Sequence, residues 1–235
     1  FKRAHHQKIA LILEQLNAEK LVDAACYFGG GTAIALRFDE FRESVDIDLM
    51  VSNIEGYRQL RSDVTAPGGL ANLFKSNLQL DLSAEVRADQ YGIRSFIKVL
   101  GKNIKFEIVL EGRINFDKPN ATDSLLGISC LSTVDLLASK LLANSDRGGD
   151  ASVFSRDLID MAMMKFSNRE WAQAYQKATT AYGPTIKKDL IKVCDSFIQN
   201  KVRLRQCMHF LKIEITETEL VQKVRHLRLI CKKAP

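Results

Sequence analysis

Paired cysteines are missing from this chain of 235 residues, which contains only five cysteines. Their number is odd and no two form a C-x-x-C pair, so the sequence supports neither a disulfide framework nor a zinc site. We expect reduced, mostly buried thiols at the five positions, which are Cys26, Cys130, Cys194, Cys207 and Cys231.

Long apolar runs are also missing. No stretch approaches the roughly 20 apolar residues of a membrane-spanning helix, and the apolar part of the first segment is too short for a signal peptide. We therefore expect a cytoplasmic protein without a membrane partner. With 46% hydrophobic and 26% charged residues, the chain can bury a substantial core, as one large domain or two small ones.

Positive charge is concentrated towards the C-terminal end. Residues 185–235 contain 12 Lys or Arg and 5 Asp or Glu, a balance of +7, whereas the formal net charge of the whole chain is +6. A localised positive surface attracts the phosphates of nucleic acids. Solvated helix faces are often basic as well, so this charge alone leaves both interpretations open.

One segment carries most of the chemical information. Residues 28–51 read FGGGTAIALRFDEFRESVDIDLMV, with Asp46 and Asp48 one residue apart in an apolar run. If residues 45–51 form a strand, both carboxylates point to one side while Val45, Ile47 and Leu49 point to the other. Two carboxylates at this separation suit Mg²⁺, which takes its remaining ligands from water and substrate phosphates.

The glycines upstream predict a phosphate site. Backbone N–H groups at a Gly-rich turn that opens a helix can bind a phosphate, which here points to Gly30, Gly31 and Thr32. Most isolated Gly-rich turns serve only backbone geometry, so the turn gains significance from the two aspartates that follow it.

Periodicity predicts a mixed first half. One or two amphipathic helices span 3–23, a short strand spans 26–28, and helices follow over 32–41 and within 53–80. Strands are predicted over 80–86, 92–100 and 104–110, the last two joined as a hairpin across residues 101–103. In the last strand Glu107 shares a face with Lys105 and Val109, so it is a candidate third metal ligand; alternatively it is a solvent-facing carboxylate opposite lysines.

Helices dominate the second half. Asp, Pro and Asn cluster into a linker at 115–123, and a short strand over 127–131 precedes an apolar helix through Leu136 and Leu142. Further helices are predicted over 154–166, 169–181, 186–199, 201–211 and 217–231. The fold class is therefore α+β, with a mixed-sheet core over residues 1–118 and a mainly helical C-terminal domain over 119–235.

The combined motifs resemble a known family. GGGT, the Ser44-Val45-Asp46-Ile47-Asp48 run and Glu107 are similar to the signature of the polymerase-beta-like nucleotidyltransferase superfamily. The block LASKLLANSDRGGDASVFSRDLIDM at residues 137–161 resembles a second signature, that of the AbiEii/AbiGii toxin family. The resemblance covers roughly residues 26–165.

This resemblance implies a function. It implies transfer of a nucleoside monophosphate from an NTP, with one or two Mg²⁺ ions held by Asp46, Asp48 and Glu107. It gives catalytic roles to Lys140 and Asp157, although an ion pair between two helices is the ordinary alternative. Nucleotide contacts are implied for the remaining candidates, which are Gly30, Gly31, Thr32, Arg42, Ser44 and Arg147.

The acceptor is left open by the sequence. The leading hypothesis is an RNA, most simply a tRNA end, with a cognate antitoxin protein as the controlling partner. Transfer to a protein hydroxyl is the second hypothesis, and a noncatalytic nucleotide-binding module is the third. The basic C-terminal region favours the first.

Overall fold

A computed structural model describes residues 1–75, 81 and 84–233. The chain forms two compact units. The first comprises Phe1–Ala33 and Ser44–Ser132, and the second comprises Ile34–Glu43 and Thr133–Pro235. The predicted division at residue 118 is a different partition and stays a prediction.

A mixed sheet forms the centre of the first unit. Its order is β1-β2-β5-β4-β3, with β2 and β5 parallel and the other neighbours antiparallel. A separate two-stranded sheet contains β6 and β7. The strands are β1 Cys26–Phe28, β2 Ile47–Val51, β3 Arg87–Ala88, β4 Gly92–Val99, β5 Lys102–Leu110, β6 Ser124–Leu125 and β7 Ile128–Ser129.

Alternating burial explains how the sheet packs. In β5, Ile104, Phe106 and Ile108 are fully buried, while Lys105 and Glu107 on the other face are partly exposed. This period of two is the pattern of a sheet with one apolar face against the core. Among the described residues of this unit, four α-helices begin: α1 Ala4–Gln15, α2 Ala18–Asp23, α3 Gly30–Arg37 and α4 Ile54–Thr65.

The second unit is helical. Each helix buries an apolar stripe, as an amphipathic sequence with a period of 3.6 requires; in α8 the stripe includes Ile186, Leu190 and Phe197. The helices are α5 Thr133–Arg147, α6 Arg156–Met163, α7 Asn168–Tyr182, α8 Thr185–Gln199, α9 Lys201–Phe210 and α10 Glu217–Lys233. The predicted fold class, α+β with a mixed sheet and a helical C-terminal region, is confirmed.

Three local predictions are corrected. The β4–β5 hairpin turns at Leu100–Gly101, because Val99 pairs with Lys102 and both turn residues have positive φ, +47° and +74°. Strand β2 begins at Ile47, so Val45 lies outside it and is 44% exposed. Helix α3 ends at Arg37, before residues with positive φ at positions 39 and 40.

Two expectations concern the edges of the fold and the cysteines. Residues 80, 82 and 83 of the predicted strand 80–86 lie outside the described residues, and Asp81 makes an isolated bridge to Lys98.

All five thiols are free and buried, as predicted. Burial raises the pKa of Cys231 to about 11, so this thiol stays protonated at neutral pH. In the described part of the chain, none of the helices combines the length and the apolar character needed to cross a membrane.

Candidate functional site

The glycine turn and β2 meet at the start of α3. Gly30 is the first residue of α3 and has φ +66°. A Cβ atom at this position would lie 2.3 Å from Oδ2 of Asp48, so only glycine leaves room for that carboxylate. The N–H of Gly29 donates to the Asp48 carbonyl at 2.9 Å. The sequence therefore uses glycine here to seat a carboxylate against a helix N-terminus.

The segment that carries Asp46 is held by side chains from two helices. The Thr32 hydroxyl lies 2.5 Å from the Asp46 carbonyl oxygen and 2.8 Å from Ser44 Oγ. From α1, His5 donates to the Val45 carbonyl at 3.1 Å, and His6 accepts from the Ser44 N–H at 3.1 Å. Because Nε2 of His6 is the acceptor, that nitrogen carries no proton. Asp46 therefore has a fixed backbone although it precedes the strand.

Glu107 lies beside Asp48 on the neighbouring strand. The two residues are register partners in the parallel β2–β5 pair, so their side chains leave the same face of the sheet. Glu107 is engaged by two cations: Lys105 Nζ lies 2.5 Å from Oε2 and Arg94 Nε lies 3.2 Å from Oε1. The predicted face of Glu107 is confirmed.

These residues fit a hard divalent cation. Asp46 and Asp48 supply carboxylate oxygens, the ligands that Mg²⁺ prefers, and the missing Cβ of Gly30 leaves the space that the Asp48 carboxylate fills. Within the described residues, no group of three His, Cys, Asp or Glu side chains is arranged as a metal site. Asp48 and Glu107 are neighbours across the β2–β5 pair, with Glu107 turned to Lys105 and Arg94. A metal triad of Asp46, Asp48 and Glu107 stays a prediction.

A chain of buried ion pairs occupies the second unit. Arg42 binds Asp160 through two hydrogen bonds of 2.6 and 2.9 Å. Lys140 Nζ lies 2.8 Å from both Asp160 Oδ2 and Asp157 Oδ1. Arg147 closes the chain with bonds of 2.7 and 3.0 Å to Asp157. Three cations and two carboxylates leave this cluster with one excess positive charge.

Helix geometry explains the cluster. Lys140 and Arg147 are seven residues apart on α5, and Asp157 and Asp160 are three residues apart on α6, so each pair lies on one helix face. All of these side chains except Arg147 are nearly fully buried. The predicted shared face of Lys140 and Arg147 is therefore present, and both residues contact Asp157. Whether Lys140 and Asp157 are also catalytic stays a prediction.

The charges in this cluster stabilise one another. Burial by itself lowers the pKa of Lys140, but the negative charges of Asp160 and Asp157 outweigh burial, and the pKa is raised overall. Burial by itself raises the pKa of Asp157, but the positive charges of Lys140 and Arg147 outweigh burial and hold the pKa of this carboxyl well below its usual range. Lys140 and Asp157 are therefore both charged at neutral pH.

The sequence-predicted site residues fall into two groups. Gly30, Gly31, Thr32, Ser44, Asp46, Asp48 and Glu107 belong to the first unit, and Arg42, Lys140, Arg147 and Asp157 belong to the second. Sequence reasoning gave no role to His5, His6 or Arg94. Adjacent histidines near a helix start gave no ligand spacing, and the position of Arg94 opposite Glu107 requires the strand register.

The family model of the nucleotidyl transferase AbiEii toxin, from type IV toxin–antitoxin systems, matches residues 11–226. None of the curated proteins matches the chain.

Two solved structures from Helicobacter pylori share the fold. One, described as a candidate nucleotidyltransferase, has a TM-score of 0.50 and 16% identity, covering 97% of this chain and 95% of that one. The other, JHP933, has a TM-score of 0.55 and 15% identity, covering 99% and 95%. The family match spans nearly the whole chain, and the protein belongs to the nucleotidyl transferase AbiEii toxin family of type IV toxin–antitoxin systems.

Proposed function

We propose that the protein transfers a nucleoside monophosphate from an NTP to the 3′ end of a tRNA, in an Mg²⁺-dependent reaction. The observation that carries this proposal is the seat of Asp48 against Gly30 at the start of α3, with Glu107 as its neighbour on β5. Membership of the AbiEii family supports nucleotidyl transfer as the reaction class.

The first turn of α3 would hold the triphosphate. The first backbone N–H groups of a helix have no partner within the helix, and the helix dipole makes this end favourable for anions. In α3 these groups belong to Gly30, Gly31 and Thr32. The Thr32 hydroxyl is engaged with the Asp46 carbonyl, so the proposed phosphate contact of Thr32 is its backbone N–H.

The carboxylates would hold the metal. Asp46 and Asp48, joined by Glu107, would bind one or two Mg²⁺ ions, which when bound neutralise charge on the phosphates. Ser44 hydrogen-bonds to Thr32 and to His6, and these contacts fix the backbone that presents Asp46.

The reaction is a displacement at phosphorus. The acceptor hydroxyl oxygen forms a bond to the α-phosphorus, the bond between that phosphorus and the bridging oxygen breaks, and pyrophosphate leaves. The hydroxyl proton passes to a carboxylate of the site, for which Glu107 is our candidate. Positioning and electrostatic stabilisation carry most of the catalysis in reactions of this type.

The second unit has proposed roles in the same reaction. Its cluster of Arg42, Lys140, Arg147, Asp157 and Asp160 has one excess positive charge, which suits a phosphate. We propose that Lys140 and Asp157 act in catalysis and that Arg42 and Arg147 contact the nucleotide. The alternative is a purely structural set of buried ion pairs, and the bond lengths of 2.6–3.0 Å are compatible with both.

The basic C-terminal region supports an RNA acceptor. Residues 185–235 carry an excess of seven positive charges, and phosphate neutralisation by Lys and Arg supplies most of the non-specific affinity for nucleic acids. The toxin family supports a cognate antitoxin as partner. We propose that both partners act in the cytoplasm.

A labelling experiment tests the function. The protein is incubated with each labelled NTP, Mg²⁺ and total tRNA, and the label is followed on RNA and on protein. We expect label on RNA from the wild type, and none from Asp46→Ala or Asp48→Ala. Asp23→Ala removes an exposed aspartate from the end of α2 and should behave as the wild type.

Two results would contradict the proposal. Label on protein alone would replace RNA by a protein hydroxyl as acceptor. No label on any acceptor, with a folded wild type, would favour a noncatalytic nucleotide-binding module.

A further inference from the structure

A row of charged residues crosses the open face of the sheet. Asp48 on β2 pairs with Glu107 on β5, Glu107 pairs with Arg94 on β4, and Arg94 pairs with Arg87 on β3. Register partners lie side by side on one face, with strands about 4.8 Å apart. Two acids are therefore followed by two bases along a single line.

Glu107 is the residue that links the acids to the bases. Both of its oxygens are engaged: Arg94 Nε lies 3.2 Å from Oε1, and Lys105 Nζ lies 2.5 Å from Oε2. Arg94 also binds Asp89 at 3.0 Å, through a different nitrogen. A metal ion that binds Glu107 must therefore compete with two cations for the same carboxylate.

Exposure shows which partner is able to move. The Glu107 side chain is 15% exposed, whereas Arg94 and Lys105 are 43% and 41% exposed. Long cationic side chains keep rotamer freedom at such exposures, since their stems lie along the sheet and their heads reach water. Without the two cations, the like charges of Glu107 and Asp48 would repel each other.

We infer that Arg94 and Lys105 are exchange partners of Glu107: they neutralise it before metal binds, and they bind nucleotide phosphates once Glu107 turns to the metal. This inference rests on the proposed function and adds two nucleotide-binding residues to it. The driving force is charge balance. In the same step the metal ion reaches the carboxylates, and the negative phosphate oxygens reach the Arg94 and Lys105 side chains that Glu107 has released.

The exchange has a signature that a structural ion pair lacks. Removing Lys105 takes away a competitor for Glu107, so metal binding without nucleotide becomes tighter. The same change removes a phosphate ligand, so nucleotide binding with metal becomes weaker. A lysine that only stabilised the sheet would lower the stability of the fold and leave both affinities unchanged.

The test measures binding directly. Mn²⁺ affinity is measured by electron paramagnetic resonance, and affinity for a non-hydrolysable NTP analogue by calorimetry, on the wild type, Lys105→Met and Glu107→Gln. For Lys105→Met we expect about five-fold tighter Mn²⁺ binding and about five-fold weaker analogue binding, corresponding to the roughly 1 kcal/mol of a partly exposed pair. Glu107→Gln should weaken Mn²⁺ binding, and adding Lys105→Met to it should give no further gain.

Controls separate the inference from the proposed function. Lys98 lies on the same face of β4 as Arg94 and is opposite Asn103. Lys98→Met removes a positive charge from that face and should change neither the Mn²⁺ affinity nor the analogue affinity. If circular dichroism shows that Lys105→Met is unfolded, both affinities are measured on Lys105→Gln instead. A wild type that binds neither Mn²⁺ nor analogue overturns the proposed function. A wild type that binds both, with unchanged affinities in Lys105→Met, overturns only the exchange.

Discussion

Replacing Gly30 with alanine should damage the fold and the site through one methyl group. The residue has φ +66°, and the added Cβ would lie 2.3 Å from Asp48 Oδ2 and 2.8 Å from Asp48 Cβ. The carboxylate oxygen can rotate away, but the Asp48 Cβ is fixed by the backbone of β2. The methyl group therefore displaces the carboxylate and strains the strand that carries it.

The cost has two parts. A left-handed backbone costs an L-residue about 1–2 kcal/mol, and overpacking a tight contact costs about 1–3 kcal/mol more. Gly69→Ala isolates the first part, because Gly69 has φ +57° and an added Cβ would meet no atom of the described residues within 4 Å. The difference between the two variants, about 1–3 kcal/mol, then measures the contact with Asp48.

Two assays check this reasoning. Urea denaturation compares the free energies of unfolding of both variants with the wild type, and Mn²⁺ titration compares their metal affinities. We expect Gly30→Ala to lose more stability than Gly69→Ala, and to lose Mn²⁺ affinity that Gly69→Ala retains. Equal stability losses, or a wild-type Mn²⁺ affinity in Gly30→Ala, would show that the missing Cβ of Gly30 does not position the Asp48 carboxylate.

The buried cluster gives two further predictions. Asp160→Ala leaves the buried Arg42 guanidinium without its bidentate partner and should lower the free energy of unfolding, measured with urea, by about 3–5 kcal/mol. The control Glu217→Ala breaks an exposed pair and should lower it by about 1 kcal/mol or less. Similar losses in the two variants would contradict the buried pairing of Arg42 with Asp160. The pKa of Asp157 in the folded protein lies below its ordinary value of 3.8. The ionised carboxylate therefore contributes its full share to the free energy of unfolding above pH 3.8, and this share is lost as the pH falls through the folded pKa. Urea midpoints at pH 5, 4 and 3 should therefore fall more steeply for the wild type than for Asp157→Asn, and parallel curves would refute this.

Strong local patterns made most of the fold predictable. Helix α7 was predicted over 169–181 and spans Asn168–Tyr182, because its apolar stripe is regular and Ser167 with Glu170 forms a capping box at its start. The face of Glu107 was predictable for the same kind of reason, since Phe106 and Ile108 alternate with it and are buried. Periodicity reports burial, and burial determines which face a side chain takes.

Contacts between distant segments could not be predicted in this way. The hairpin turn lies one residue earlier than predicted because Leu100 adopts φ +47°, a conformation that leucine rarely takes. Arg94 binds Glu107 only because the register of β4 and β5 places the two residues opposite each other. His6 is 38 residues from Ser44 in sequence, and neither residue type alone indicates the other.

The interleaved order of the two units limits how this protein can be dissected. The second unit takes residues 34–43 from within the sequence of the first, and Arg42 in that short insert binds Asp160. A fragment that starts at the helical region would leave Asp160 in its interior without that guanidinium, and a fragment that stops before this region would carry residues 34–43 without the rest of the second unit. Expression boundaries chosen by a single cut should therefore yield unstable halves, and activity of separate pieces would have to be sought by mixing them rather than by testing either one.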